Sequence, residues 1–204
     1  MEDYYAHTRK TGEKQTVKEH LEGTAKLAST FAAEFDSADQ GKLMGMAHDI
    51  GKYSKEFQCR LLKSGPKVDH ASAGAYECYK INQPYAAICI SGHHSGLPDL
   101  GDKDDFEEGT FWGKMNRAIA NKIPDYSSWS KDIMLPTAET PGFITCKPDP
   151  LKDMFYIRML YSCLVDADFL DTEGYMKGKV AQSKETLSKS CIKSCCRKSK
   201  KMDG

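Results

Sequence analysis

The sequence has no run of eighteen apolar residues, which excludes an ordinary membrane-spanning helix. It has no glycine-rich phosphate loop, no nucleophile elbow and no internal repeat, so P-loop ATPase, serine-hydrolase and repeat-array readings have nothing to stand on. Its start, Met1-Glu2-Asp3-Tyr4-Tyr5, lacks the basic and apolar stretches of a secretory signal, and a cytoplasmic protein is expected. The eight cysteines lack a regular spacing and a paired C-x-x-C; Cys191, Cys195 and Cys196 have no histidine nearby. They read as buried or free thiols, with neither a disulfide framework nor a zinc site.

What is present is a soluble globular composition, 40% hydrophobic and 28% charged, over 204 residues, enough for one domain with its own core plus a tail. Lys and Arg equal Asp and Glu at 29 each, but nine bases and two acids fall within 176–204. That basic tail is either a solvated end or a strip that follows a polynucleotide backbone.

Hydrophobic spacing predicts a helical protein. Val17, Leu21, Ala25, Ala28, Phe31, Ala32 and Phe35 recur at three- and four-residue steps, an amphipathic helix opening near Thr16. A second helix is expected from Gln40 to Gly51, a short third one capped by Ser54, and a fourth running from Asp69 through Tyr79. After Pro84 a short buried helix or strand closes at His93-His94. Residues 99–150 are proline-rich and irregular, with a helix near 111–122, and read as an insertion or flap. A long helix carrying Asp166 and Asp168 is expected from Leu151 to Thr172. The domain is assigned to 1–175.

Five of six histidines (His20, His48, His70, His93 and His94) fall at the ends of these helices, and Asp49 follows His48 directly. Imidazole and carboxylate ligands in such number suit first-row transition metals better than calcium, and an open position would activate water. Consecutive helical side chains diverge by about 100°, so His48 and Asp49 enter one pocket only at a helix end. There Asp49 could bridge two metals. Lys52, just beyond, is a candidate phosphate contact.

The matching stretches are Glu19-His20-Leu21; Ala47-His48-Asp49-Ile50-Gly51-Lys52 with Glu56-Phe57-Gln58; Asp69-His70-Ala71-Ser72-Ala73-Gly74-Ala75; His93-His94-Ser95-Gly96-Leu97; and Leu164-Val165-Asp166-Ala167-Asp168-Phe169-Leu170-Asp171-Thr172-Glu173. In this order, over about residues 5–175, they resemble the HD superfamily of metal phosphohydrolases. The generic likeness rests on His48-Asp49 and the late aspartate; the Asp69-His70, His93-His94-Ser95-Gly96-Leu97 and Asp166–Glu173 stretches resemble, within the superfamily, the HD nuclease domain of the type I CRISPR-associated nuclease-helicase.

The resemblance implies an all-α HD fold with one or two divalent metals at the helix ends. His20, His48, Asp49 and a late aspartate would surround one, and Asp49, His70, His93 and His94 the other. Asp166 and Asp168 stand about 200° apart on a helix, so only one faces the metal; Asp168 is favoured by its Ala-Asp-Phe-Leu setting. His48, Asp49 and Lys52 would be catalytic, with Lys52 and Ser95 contacting substrate. The metals would be manganese, nickel, cobalt, iron or zinc, with magnesium an alternative. The implied activity is hydrolysis of single-stranded DNA as an endonuclease, with exonuclease action alongside. The implied partners are a helicase part or subunit and an RNA-guided surveillance complex. The helicase part is absent from this sequence, and the basic tail matches nothing in the family. A phosphohydrolase of nucleotides or small esters and a metal-free binding module are the competing functions.

Overall fold

The computed structural model describes residues 3–63, 65–146 and 149–178. Two short strands, β1 (Tyr5–Thr8) and β2 (Lys14–Thr16), pair antiparallel and lead into α1 (Val17–Ala32). Then come α2 (Ala38–Ala47), α3 (Lys55–Lys63), α4 (Ala71–Lys80), α5 (Pro84–Gly92), α6 (Phe111–Ile119), α7 (Gly142–Thr145) and α8 (Pro150–Met176). The fold is mostly helical, as the spacing predicts; the hairpin is an addition that the sequence reading missed. The basic tail from residue 179 on, with Cys191, Cys195 and Cys196, lies outside the described residues. Cys59, Cys78, Cys89, Cys146 and Cys163 are free thiols. Among the described residues no helix is long and apolar enough to cross a membrane.

α1 begins where Thr16 and Glu19 form a reciprocal capping box: Thr16 Oγ1 accepts from Glu19 N–H at 3.1 Å, and Glu19 accepts from Thr16 N–H at 3.0 Å. Its stripe of Val17, Leu21, Ala25 and Ala28 is buried against α2 and α8. The α1–α2 crossing is close because it is lined by small residues; a Cβ at Gly45 would lie 2.3 Å from Ala25 Cα. α4 packs on α5, and α5 on α8, which closes the bundle.

Three boundaries differ from the sequence expectation. α2 stops at Ala47 instead of running to Gly51: His48 caps it, Asp49 leaves helical geometry (φ −113°, ψ 21°), and Ile50–Tyr53 form a 3-10 turn. α6 ends at Ile119, and Asn121 beyond it is left-handed (φ 53°). α8 starts at Pro150, capped by Asp149, and runs on through Gly174 to Met176, where Arg9 Nε donates to Tyr175 O at 2.7 Å. The irregular stretch 99–150 also supplies core: Phe111, Met115, Ala118, Ile133 and Ile144 are buried.

Candidate metal centre

Six histidine and aspartate side chains come from helix ends and a seventh from the middle of α8. His20 lies in the first turn of α1, and His48 and Asp49 follow the last residue of α2. His70 is the residue before α4, and His93 and His94 follow α5. Asp168 projects from α8. At an end a side chain can turn across the helix axis, and this lets neighbours such as His48 and Asp49, or His93 and His94, reach a common point.

These residues form two groups that share Asp49: His20, His48, Asp49 and Asp168, and Asp49, His70, His93 and His94. Within each group the nearest ligand atoms lie within 4.8 Å of one another. The shared carboxylate has two faces. Its Oδ2 is 3.1 Å from His20 Nε2 and 3.3 Å from His48 Nε2; its Oδ1 is 3.4, 3.5 and 4.0 Å from Nε2 of His70, His93 and His94. Asp168 Oδ1 is 3.3 Å from His20 Nε2 and 3.6 Å from His48 Nε2.

The ring orientations suit a metal. Nδ1 of His48, His70 and His93 lies 2.9, 3.1 and 2.7 Å from the carbonyl oxygens of Gly45, Val68 and Ile90. A carbonyl only accepts, so each Nδ1 carries the hydrogen and Nε2 is the nitrogen left to a metal. His20 is held likewise by a carboxylate, Asp171 Oδ2, 2.8 Å from Nδ1. Among the described residues, two buried atoms at the centre, Asp49 Oδ1 and His93 Nε2, have no hydrogen-bond partner. Such atoms are costly to leave unpaired, and a divalent ion between them would satisfy both. The donor set of imidazoles and carboxylates therefore fits the metals expected from the sequence.

Charge balance follows from the packing. Burial pulls His20 and His48 down, but the facing carboxylates outweigh it. Hydrogen bonds to Asp168, Asp171 and Asp49 raise His20 to about 9, and Asp49 and Asp168 raise His48 to about 10. Burial pushes Asp49 and Asp168 up, yet Lys52 and His48 bring Asp49, and His20 and His48 bring Asp168, well below the usual carboxylate range. His94 goes the other way, lowered to about 3 by burial and by His93. Its side chain is 44% exposed against 11% for His70 and none for His20, His48, Asp49 and His93, so solvent reaches the cluster past His94.

Asp166 is exposed on the outer side of α8, away from the cluster. Lys52 is not a surface lysine: it is 4% exposed, with Nζ 2.6 Å from Asp49 Oδ2. Ser95 sits on the exposed turn after His94, where its backbone N–H bonds Gly92 O. Sequence reasoning gave no role to three residues found here. His7, from β1, sets its ring edge-on to His20 with centroids 4.8 Å apart and its Nε2 3.5 Å from Lys52 Nζ. Phe57 packs on the His70 ring at 5.2 Å. Asp171 binds His20; its sequence signals are a position one turn after Asp168 and its place in the Leu164–Glu173 stretch.

Comparison with protein families matches the family described as HD domain to residues 17–120, which hold six of the seven clustered residues; Asp168 lies beyond it. Comparison with curated proteins finds no match.

Proposed function

This chain belongs to the HD domain family, and from that premise we propose that it is a metal-dependent nuclease that hydrolyses single-stranded DNA in a type I CRISPR interference system. The family makes it a metal-dependent phosphohydrolase. The observation that carries the reading is the convergence of imidazoles held at Nδ1 on a carboxylate whose Oδ1 has no hydrogen-bond partner among the described residues. Nuclease action is supported by the three stretches that resemble that branch, Asp69-His70, His93-His94-Ser95-Gly96-Leu97 and Asp166-Ala167-Asp168-Phe169-Leu170-Asp171-Thr172-Glu173. It is supported too by the exposure of the His94 side chain, which opens one flank of the cluster to solvent.

Divalent metals bound here would lower the pKa of a water and polarise a phosphoryl oxygen. His20, His48, Asp49 and Asp168 would hold one ion, and Asp49, His70, His93 and His94 a second. Lys52 Nζ, fixed 2.6 Å from Asp49 Oδ2, lies at the wall of the cluster, where it would attract phosphate. Ser95 would contact substrate from the exposed turn beside His94. A helicase and an RNA-guided surveillance complex would deliver the strand. Backbone contacts of this kind give modest sequence preference and salt-sensitive binding.

The test uses circular single-stranded DNA and metal-stripped protein resupplied separately with manganese, nickel, cobalt or magnesium, with Asp49→Ala alongside. Metal-dependent linearisation, absent in the variant, is expected. No cutting with any metal, together with hydrolysis of mononucleotides, would instead assign the site to small phosphate esters.

A further inference from the structure

α8 holds the His20 ring by both edges. Asp168 Oδ1 lies 3.3 Å from Nε2, on the side of the cluster, and Asp171 Oδ2 lies 2.8 Å from Nδ1, on the opposite edge. Three residues along a helix amount to about 60° and 4.5 Å, so two carboxylates one turn apart straddle one imidazole. Because Asp171 meets the ring edge turned away from Asp49, it is one residue removed from any ion in the cluster.

Two other elements are shaped around Asp171. Gln15, 7% exposed on β2, donates from Nε2 to Asp171 Oδ2 at 3.0 Å, so this single oxygen takes both hydrogens. On the other side, the backbone of α1 makes room for the carboxylate at Gly23: a Cβ there would lie 2.0 Å from Asp171 Oδ1 and 2.9 Å from Cγ. No side chain larger than glycine fits while Asp171 stays where it is. Among the described residues the hydrogen-bond partners of the Asp171 carboxylate are thus His20 and Gln15, with Gly23 leaving it room.

We infer that Asp171 is a positioning residue that fixes the Nδ1 hydrogen and ring angle of His20, with Gln15 and Gly23 holding it in place, and so sets the metal affinity of the His20 group. A carboxylate on the far nitrogen of a ligand imidazole fixes its orientation and makes the metal-facing nitrogen more basic. This rests on the metal-site reading of the cluster and is independent of which phosphate ester is cleaved. It also gives the hairpin a purpose, since β2 delivers Gln15 to Asp171 and β1 delivers His7 to the His20 ring.

Two readouts test it without hydrolysis. In metal-free protein, proton NMR should show a downfield, slowly exchanging Nδ1 hydrogen for His20, which Asp171→Ala should lose while the helical circular dichroism stays. In calorimetric titration with Mn2+ alone, Asp171→Ala should bind about 10–100-fold more weakly than wild type. Asp171→Asn should fall between the two, because its oxygen still accepts from His20 and Gln15 can turn its unpartnered Oε1 toward the new amide. Gly23→Ala should weaken binding in the wild-type background and add nothing to Asp171→Ala. Wild-type Mn2+ affinity in Asp171→Ala, or a His20 hydrogen that survives the substitution with unchanged exchange, would overturn the assignment. A wild-type protein that binds Mn2+ but cuts no DNA would count against the nuclease alone.

Discussion

Gly74, on α4, faces the end of α2, and Gly74→Ala probes whether the metal cluster depends on that contact. An added Cβ would lie 1.8 Å from Ala47 O, 2.8 Å from Ala47 C and 3.2 Å from His48 O. Real Cβ contacts essentially never come closer than 3.0 Å, so backbone must move by about 1.2 Å. No flexible side chain is available to give way. Overpacking of this kind costs about 1–3 kcal/mol, offset by about 1 kcal/mol from alanine's better helix propensity. A net loss of up to about 2 kcal/mol lowers Tm by up to about 8 °C in a chain of this size. The displaced atoms belong to Ala47 and His48, next to Asp49, while His70 sits four residues before Gly74. The 3.4 Å approach of His70 to Asp49 should therefore open, and a misplacement of about 1 Å can cost about 100-fold in rate. The assay is thermal melting of metal-free protein, followed by Mn2+ titration and DNA cleavage. Gly142→Ala, whose Cβ would meet nothing within 4 Å, is the control. A Gly74→Ala protein that melts at or above wild type and binds Mn2+ normally would show that the interface does not set the cluster's geometry.

Asp168→Asn should reduce cleavage more than Asp166→Asn, since Asp168 faces His20 and His48 and Asp166 faces solvent; the reverse order in a rate comparison would reassign the ligand. Divalent metal at about 100 times its Kd should stabilise the protein by about 2.7 kcal/mol. Chelator should reverse that shift, and Asp49→Ala should not show it; an equal shift in the variant would place the ion elsewhere. The pH dependence of the metal-free protein has a defined sign. His20 and His48 are raised from 6.5 to about 9 and about 10, so the stability they contribute is complete below 6.5 and is lost as pH rises through those values. Metal competes for the same nitrogens, so Mn2+ affinity should climb over that window while Tm of the chelated protein falls. On the acid side His7 and His94, lowered to about 3 chiefly by burial, contribute stability present above 6.5 and lost as pH falls toward 3. A flat melting curve between pH 7 and 9.5 would refute the alkaline half.

The sequence by itself determined the helices whose signals are local. Thr16 and Glu19 mark the start of α1 because a capping box is closed within four residues, and the apolar steps after it need only one buried face. Ser54 does the same for α3, where its Oγ accepts from Phe57 N–H. The histidines at helix ends were legible too, since a helix boundary and a residue type suffice to see them. What the sequence could not carry were choices made by partners distant along the chain. Four- and three-residue strands leave little alternation to read, and the hairpin's place is set by Gln58, whose amide bonds Tyr5 N–H, Tyr5 O and Lys52 O. Gly51 looked like the end of α2, but the helix stops at Ala47, where His48 turns back onto Gly45 O and Asp49 turns toward the cluster. Gly174 looked like a stop in α8, yet the helix runs on to Met176, with Arg9 from beyond β1 bonding Tyr175 O. Lys52 read as a phosphate contact, and only the fold showed it buried against Asp49. Residue types and helix ends fixed which groups could bind a metal; only tertiary packing decided that Asp171 holds His20 and that Asp49 presents one oxygen to each group, because those contacts join residues far apart in the chain, 151 positions for His20 and Asp171 and 29 for His20 and Asp49.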